Sequence, residues 1–480
     1  MSIELMEWTG MSARWMLRLG HNHDPREQDM PSQILRTLLS ILEETGTPLT
    51  RPGLANFLII AVGWVQTFGV HAVTQALVVT GVAGERHHEA FHRFFSRGAW
   101  NPDDLGRCLF LRLERWLGDG AVRIAIDDTV ASKKGPEVFG IGSHLDAVRS
   151  TKRRRAFCFG HCWVVLAVLV NVPFSSRVWA LPVLLRLYRN KKECAAHDGD
   201  YQKKTELARE MIDVFTGWTD RRIEFAADSA YCNDTVTRGL CRRVVLFGAM
   251  RPDAVLTSLP STTAVGSRRG RPRKRGNPLP KPECVAQDEQ RPWQFAQLVL
   301  YGRKTTVRYK TLTAQWYRAC GTRLLRIVVV ATPQGAVPWR VFFCTDVSLS
   351  VPQILAGYGA RWSIECFFRE AKQFLGFGDS SARKKAAVLR VAPFVGILYS
   401  VLVIWFLEGA STSPLAMPPV RPWYTHKRGL SFEDILRAAR RALANYDVLV
   451  PSRDINNLQQ PAARAGNAER DPRSHARRAA

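Results

Sequence analysis

Apolar residues recur at helical spacing between residues 31 and 118, in the segments Ser32 to Glu44, Arg51 to Thr67, Val70 to Val79, Glu85 to Ser96 and Pro102 to Leu117, separated by Gly, Pro or Asn. From residue 121 β-rich runs take over. Val122 to Ile126 ends in Asp127 and Asp128, and His161 to Val170 and Arg177 to Leu187 come next. Lys203 to Phe215 reads as a helix, Arg222 to Ala227 as a strand ending in Asp228, Thr235 to Arg242 as a short helix and Val244 to Met250 as a strand. The order is βββαβαβ: three hairpin-linked strands, then parallel α/β units. Residues 251–348 interrupt it with a basic, Pro- and Gly-rich loop and the strand runs Gln297 to Tyr301, Thr305 to Leu312, Leu324 to Ala331 and Arg340 to Thr345.

The pattern predicts an α/β protein with an all-helical N-terminal domain over 1–120. The core spans 121–250 and 349–410, with a β-rich insertion at 251–348 between its parts. A helix near Ser431 to Asn445 and a polar, disordered tail make up 411–480. Phe57 to Val79 and Val391 to Leu407 are apolar enough to suggest a membrane span. Gln66, His71 and Gln75 break the first, and Pro393 and its length count against the second, so both are read as core helices. A membrane partner is not expected.

At 480 residues with 46% hydrophobic content, the chain can bury sizeable cores. Its 68 Lys plus Arg against 42 Asp plus Glu give a formal charge of +26, which points to a polyanionic partner, nucleic acid first. The ten cysteines are scattered, as expected of reduced thiols in a cytoplasmic protein. Cys158, His161 and Cys162 have no standard zinc spacing and fall in a run that reads as a buried strand.

The densest chemistry lies in Tyr358-Gly-Ala-Arg361-Trp-Ser-Ile-Glu365-Cys-Phe-Phe-Arg-Glu-Ala-Lys372. On one continuous helix, Tyr358, Arg361, Glu365 and Lys372 would project within a stripe roughly 60° wide. Ile364, Phe368, Ala371 and Leu375 form the apolar stripe beside it, which would seat the helix on a sheet. Asp128 and Asp228 fall at strand ends, and with Glu365 they supply three hard oxygen ligands suited to Mg²⁺. Two such ions about 3.5–4 Å apart can activate a water or a 3′-hydroxyl and stabilise the leaving oxygen. Asp127 is the second choice for the first ligand, because strand alternation turns it opposite to Asp128.

The order of elements, the Asp/Asp/Glu set and the Tyr-x2-Arg-x3-Glu-x6-Lys spacing resemble a DDE transposase of the bacterial insertion-sequence type, over about residues 85–410. That resemblance implies a ribonuclease H-like core interrupted by a β-strand insertion, and catalytic metal ligands at Asp128, Asp228 and Glu365. It implies two Mg²⁺ ions, with Mn²⁺ able to substitute. The partners it implies are double-stranded DNA, as element ends and target, and a homodimer in the synaptic complex. The cytoplasm, at the bacterial nucleoid, is the implied location. Arg361 and Lys372 are expected to hold phosphates and Tyr358 to bond the DNA backbone. Some relatives hold a flipped base with a Trp shortly before the Tyr, a place matched by Trp339, for which an ordinary packing role stands beside that one. Arg269 and Arg271, in Arg-Gly-Arg-Pro, resemble a minor-groove hook or serve as solvated phosphate contacts. Lys152 to Arg155 and Arg149 are further candidates for backbone contact. A non-transposing nuclease of the same fold and a DNA-binding transposase remnant are the competing readings.

Overall fold

The computed structural model describes residues 25–135, 137–146, 149–151, 153–197, 199–260, 273–300, 303–331, 338–412, 423, 429–444 and 446. The chain opens with α1 (Pro25–Thr45), α2 (Arg51–Gln66), α3 (Val73–Val79), α4 (Glu89–Ser96) and α5 (Pro102–Glu114). Local chemistry sets the starts: Thr50 Oγ1 accepts from Gly53 N before α2, Asn101 accepts from Asp103 N before α5, and each helix has Pro in its first turn. α5 packs closely on the central sheet, while α1 and α4 pack on a later helix. A Cβ added at Gly106 of α5 would lie 2.0 Å from the Val183 carbonyl oxygen, so only glycine allows this approach.

The next elements are β1 (Val122–Ser132), β2 (Gly142–Leu145), β3 (Phe157–Val172), β4 (Ser175–Tyr188), α6 (Lys191–Ala196), α7 (Lys204–Thr216), β5 (Ile223–Ala227), α8 (Asp234–Thr237) and β6 (Val244–Met250). Then come β7 (Leu256–Thr257), β8 (Pro278–Leu279), α9 (Pro282–Gln287), β9 (Gln294–Leu300), β10 (Arg303–Gln315), α10 (Tyr317–Cys320), β11 (Leu324–Ala331) and β12 (Trp339–Cys344). The chain closes with α11 (Val351–Gly359), α12 (Trp362–Phe374), α13 (Lys385–Leu407) and α14 (Phe432–Leu443).

Among the described residues the strands form one mixed sheet, ordered β2-β3-β1-β5-β6-β12-β11-β10-β7-β8, with β4 on β3 and β9 on β10. β1, β3 and β4 make the antiparallel hairpins expected from the sequence, while β1, β5 and β6 run parallel. The strands after residue 251 do not form a sheet of their own. β12 pairs antiparallel with β6, Val341 opposite Met250, so they extend the core sheet.

Two differences from the sequence pattern bear on the site. β1 continues past Asp127 and Asp128 to Ser132, because its pairing with β3 runs on to Ser132 opposite Gly160. The segment expected as one helix from Tyr358 to Lys372 is two, broken at Ala360 and Arg361. Its apolar stripe behaves as patterned: Ile364, Phe368, Ala371 and Leu375 are all buried. α13 is long and apolar enough to cross a membrane by length and composition, but it runs through the centre of the protein against β4, α5, α4, α1 and α14. Trp64 of α2 donates through Nε1 to the Leu375 carbonyl, 2.9 Å away, and so pins the end of α12.

Candidate active site

Ile126 of β1 lies level with Ala227 of β5. The next residues along each strand, Asp127 and Asp228, therefore sit side by side on adjacent parallel strands, backbones roughly 5 Å apart. Asp228 leaves its strand in a tight turn, its Oδ1 accepting from Ala230 N at 2.8 Å. Glu365 occupies the first turn of α12 and joins Asp127 through one cation. Arg361 Nη1 lies 2.5 Å from Asp127 Oδ2, and its Nη2 lies 3.1 Å from Glu365 Oε1. The guanidinium is largely buried and Glu365 is 35% exposed at the side chain, so the group opens to solvent on the glutamate side.

Electrostatics reflects this crowding. Burial pushes the Asp127 carboxyl up to about 7, with repulsion from Asp228 and Asp128 adding to the effect and Arg361 opposing it. Burial alone would lower Arg361, but attraction to Asp127, Tyr358, Glu365 and Asp228 raises it above its ordinary value.

Asp128 meets a different set of partners. The resemblance and strand alternation rank it ahead of Asp127 in the sequence, and β1 runs on past both residues. Because β1 continues, alternation turns the two side chains to opposite faces. Asp128 Oδ2 lies 2.5 Å from Lys204 Nζ of α7, and Asp128 Oδ1 accepts from the Tyr231 hydroxyl at 2.7 Å. The Cys162 thiol donates to it at 3.5 Å; burial and then Asp128 push that thiol up to about 12. Sequence reasoning missed Lys204 and Tyr231: Tyr231 stands three residues after Asp228, but nothing in the spacing ties either residue to Asp128.

Lys372 is not a free cation at the rim. Its Nζ donates to Thr129 Oγ1 at 2.7 Å and to the Val130 carbonyl at 2.8 Å, and burial lowers its pKa. It ties α12 to the β1 face that carries Asp127. The Tyr358 ring packs on Phe342, centroids 4.7 Å apart, and the Arg361 guanidinium lies 5.9 Å from its centre. Trp339 begins β12 opposite Ala331 and packs half-buried against the core, on the same side of the sheet's strand ends as Asp228. Arg269, Arg271 and Lys152 lie outside the described residues. Arg153, Arg154 and Arg155 are exposed, and Arg149 makes a loose pair with Asp146 at 3.7 Å. Of the zinc candidates, His161 bonds the Phe139 carbonyl at 2.9 Å and Cys162 serves Asp128.

By donor type, Asp127, Asp228 and Glu365 suit a hard divalent cation, whose charge would offset the burial and the lesser carboxylate repulsion that raise Asp127. Among the described residues no three His, Cys, Asp or Glu side chains converge closely enough to hold an ion, and the Arg361 guanidinium stands between Asp127 and Glu365.

No curated protein matches the chain. Among solved structures, a cryo-EM structure of a piggyBac transposase synaptic complex with hairpin DNA is similar over 92% of this chain and 87% of that one, at 9% identity and a TM-score of 0.41. The family model of the DDE superfamily endonucleases matches residues 55–322. That segment is more than half of the 480 residues and carries both strand-borne aspartates of the site, so the chain belongs to the DDE superfamily endonucleases.

Proposed function

We propose that this endonuclease is a DNA transposase of the insertion-sequence type. It cuts phosphodiesters at the ends of its own mobile element and joins the freed 3′-hydroxyls to target DNA. The observation that carries this reading is that Asp127 and Asp228 follow level residues of neighbouring strands while Arg361 joins Asp127 to Glu365 of the Tyr-Arg-Glu-Lys segment. Asp127, Asp228 and Glu365 are the residues that would hold Mg²⁺ or Mn²⁺. Bound there, divalent metal supplies an activated water or 3′-hydroxyl and stabilises the departing oxygen.

The protein's own groups prepare that site. Arg361 offsets the carboxylate charge and in this reading would share a non-bridging phosphate oxygen. Lys372 fixes α12 on β1 and so fixes the reach of Glu365. Asp128 acts from the opposite face as a positioning residue, its bond to Tyr231 tying the strand that carries Asp127 to the turn after Asp228 and its bond to Lys204 tying that strand to α7. Joining two DNA ends calls for at least two copies of the chain in the assembled complex. A strand-transfer assay with precut ends and a supercoiled target tests the reading. Joined products are expected, and cleavage without joining would leave a nuclease only.

A further inference from the structure

The endonuclease reading leaves one strongly charged concavity without a role. α8, the residues after it, Lys274 and Arg275, and α10 with its succeeding turn surround a hollow of about 940 Å³. Arg238, Arg242, Lys274, Arg275, Arg318 and Arg323 line it against a single carboxylate, Asp234, which pairs with Arg238. Two of these cations are held in place. The Arg275 guanidinium lies 4.4 Å from the centre of the Tyr317 ring, and Arg323 Nη2 donates to the Leu240 carbonyl at 2.5 Å and the Cys241 carbonyl at 3.3 Å. Arg242, Lys274 and Arg318 are exposed and meet no carboxylate among the described residues.

The position of the hollow in the sheet matters as much as its charge. Arg323 also reaches the carbonyl of Val244, the first residue of β6, which pairs with Ile223, the first residue of β5. Asp228 comes directly after the last residue of β5, so the hollow and the carboxylates lie at opposite ends of a five-residue strand. That separation is roughly 17 Å at about 3.3 Å per residue, equal to about five base pairs of duplex at 3.4 Å each.

We propose that this hollow grips the phosphate backbone of duplex DNA about half a helical turn from the bond being cut, as a second DNA contact separate from the carboxylate edge. The proposal rests on the endonuclease reading. Fixed cations set the register of the backbone, and mobile ones neutralise it, without reading sequence.

The test uses the full chain, with Arg242→Gln combined with Arg318→Gln, and Lys274→Gln as a separate variant. Duplexes from about 6 to 24 base pairs are titrated by fluorescence anisotropy at several salt concentrations. Wild-type affinity should rise as the duplex lengthens past about five base pairs from the cleaved bond, and the double variant should lose most of that gain, on the order of tenfold on the longest duplex. Its salt slope should fall by about two and that of Lys274→Gln by about one. Because the replaced groups are exposed, melting temperatures should stay at the wild-type value. A wild-type protein that cuts DNA, with variants matching it in affinity and slope at every length, overturns this proposal alone. A wild-type protein that binds no duplex overturns it together with the endonuclease reading.

Discussion

Asp127 and Asp128 are adjacent in sequence and identical in chemistry, and only their faces of β1 separate them. Strand alternation is readable in the sequence; which parity faces Glu365 is not, because it depends on where α12 and α7 dock. Asp127 carries a pH signature. Its folded carboxyl titrates at about 7 against an ordinary 3.8, so the folded state holds the proton more tightly. The resulting stability is full below about pH 4 and is lost as pH rises through about 7. Denaturant midpoints should therefore show the wild type losing stability relative to Asp127→Asn between about pH 4 and pH 7. A difference that stays constant with pH would contradict the burial of this group. Asp128 should behave differently. Asp128→Ala leaves Lys204 and the Tyr231 hydroxyl without their carboxylate, which should cost about 1–3 kcal/mol in chemical denaturation. An unchanged midpoint would remove the tie.

At the scale of elements, α12 is the most legible part of the chain, since its apolar stripe is buried where the pattern puts it. The break at Ala360 and Arg361 is not legible: Arg361 keeps helical angles, φ −53° and ψ −36°, so no residue there announces a stop. Nor does periodicity reveal what anchors the underside of the helix. Glu370 is 5% exposed, accepts from the Tyr399 hydroxyl at 2.7 Å and pairs with Arg177 at 2.7 Å, whose guanidinium stacks on Trp179 at 3.9 Å. In sequence it reads as one more charge on an amphipathic helix. Glu370→Ala should destabilise the protein by about 2–4 kcal/mol, because it leaves a half-buried cation and a buried hydroxyl unpaired. A loss under about 1 kcal/mol in urea unfolding would show the anchor to be dispensable.

Across the whole molecule, the antiparallel pairing of β3 with β1 and β4 and the parallel β1, β5 and β6 arrangement agree with the pattern of runs, which does not show β2. The fusion of the later strands onto β6 has no such sign, because antiparallel pairing over such sequence distances leaves no local mark. The charge of +26 is a property of the whole chain, and DNA affinity should fall by orders of magnitude between about 50 and 200 mM salt. A flat salt response in an anisotropy titration would contradict a phosphate-dominated interface.

The most direct test of the carboxylate assignment compares Asp127→Asn and Asp128→Asn in Mn²⁺-supported cleavage of duplex DNA, with DNA binding measured alongside. Asp127→Asn should lose cleavage by on the order of 10³-fold or more while still binding DNA, because it removes a ligand rather than a docking contact. Asp128→Asn should lose about 10–100-fold, the range for a group acting through its neighbours. The reverse order, with Asp127→Asn close to wild type and Asp128→Asn inactive, would contradict the account.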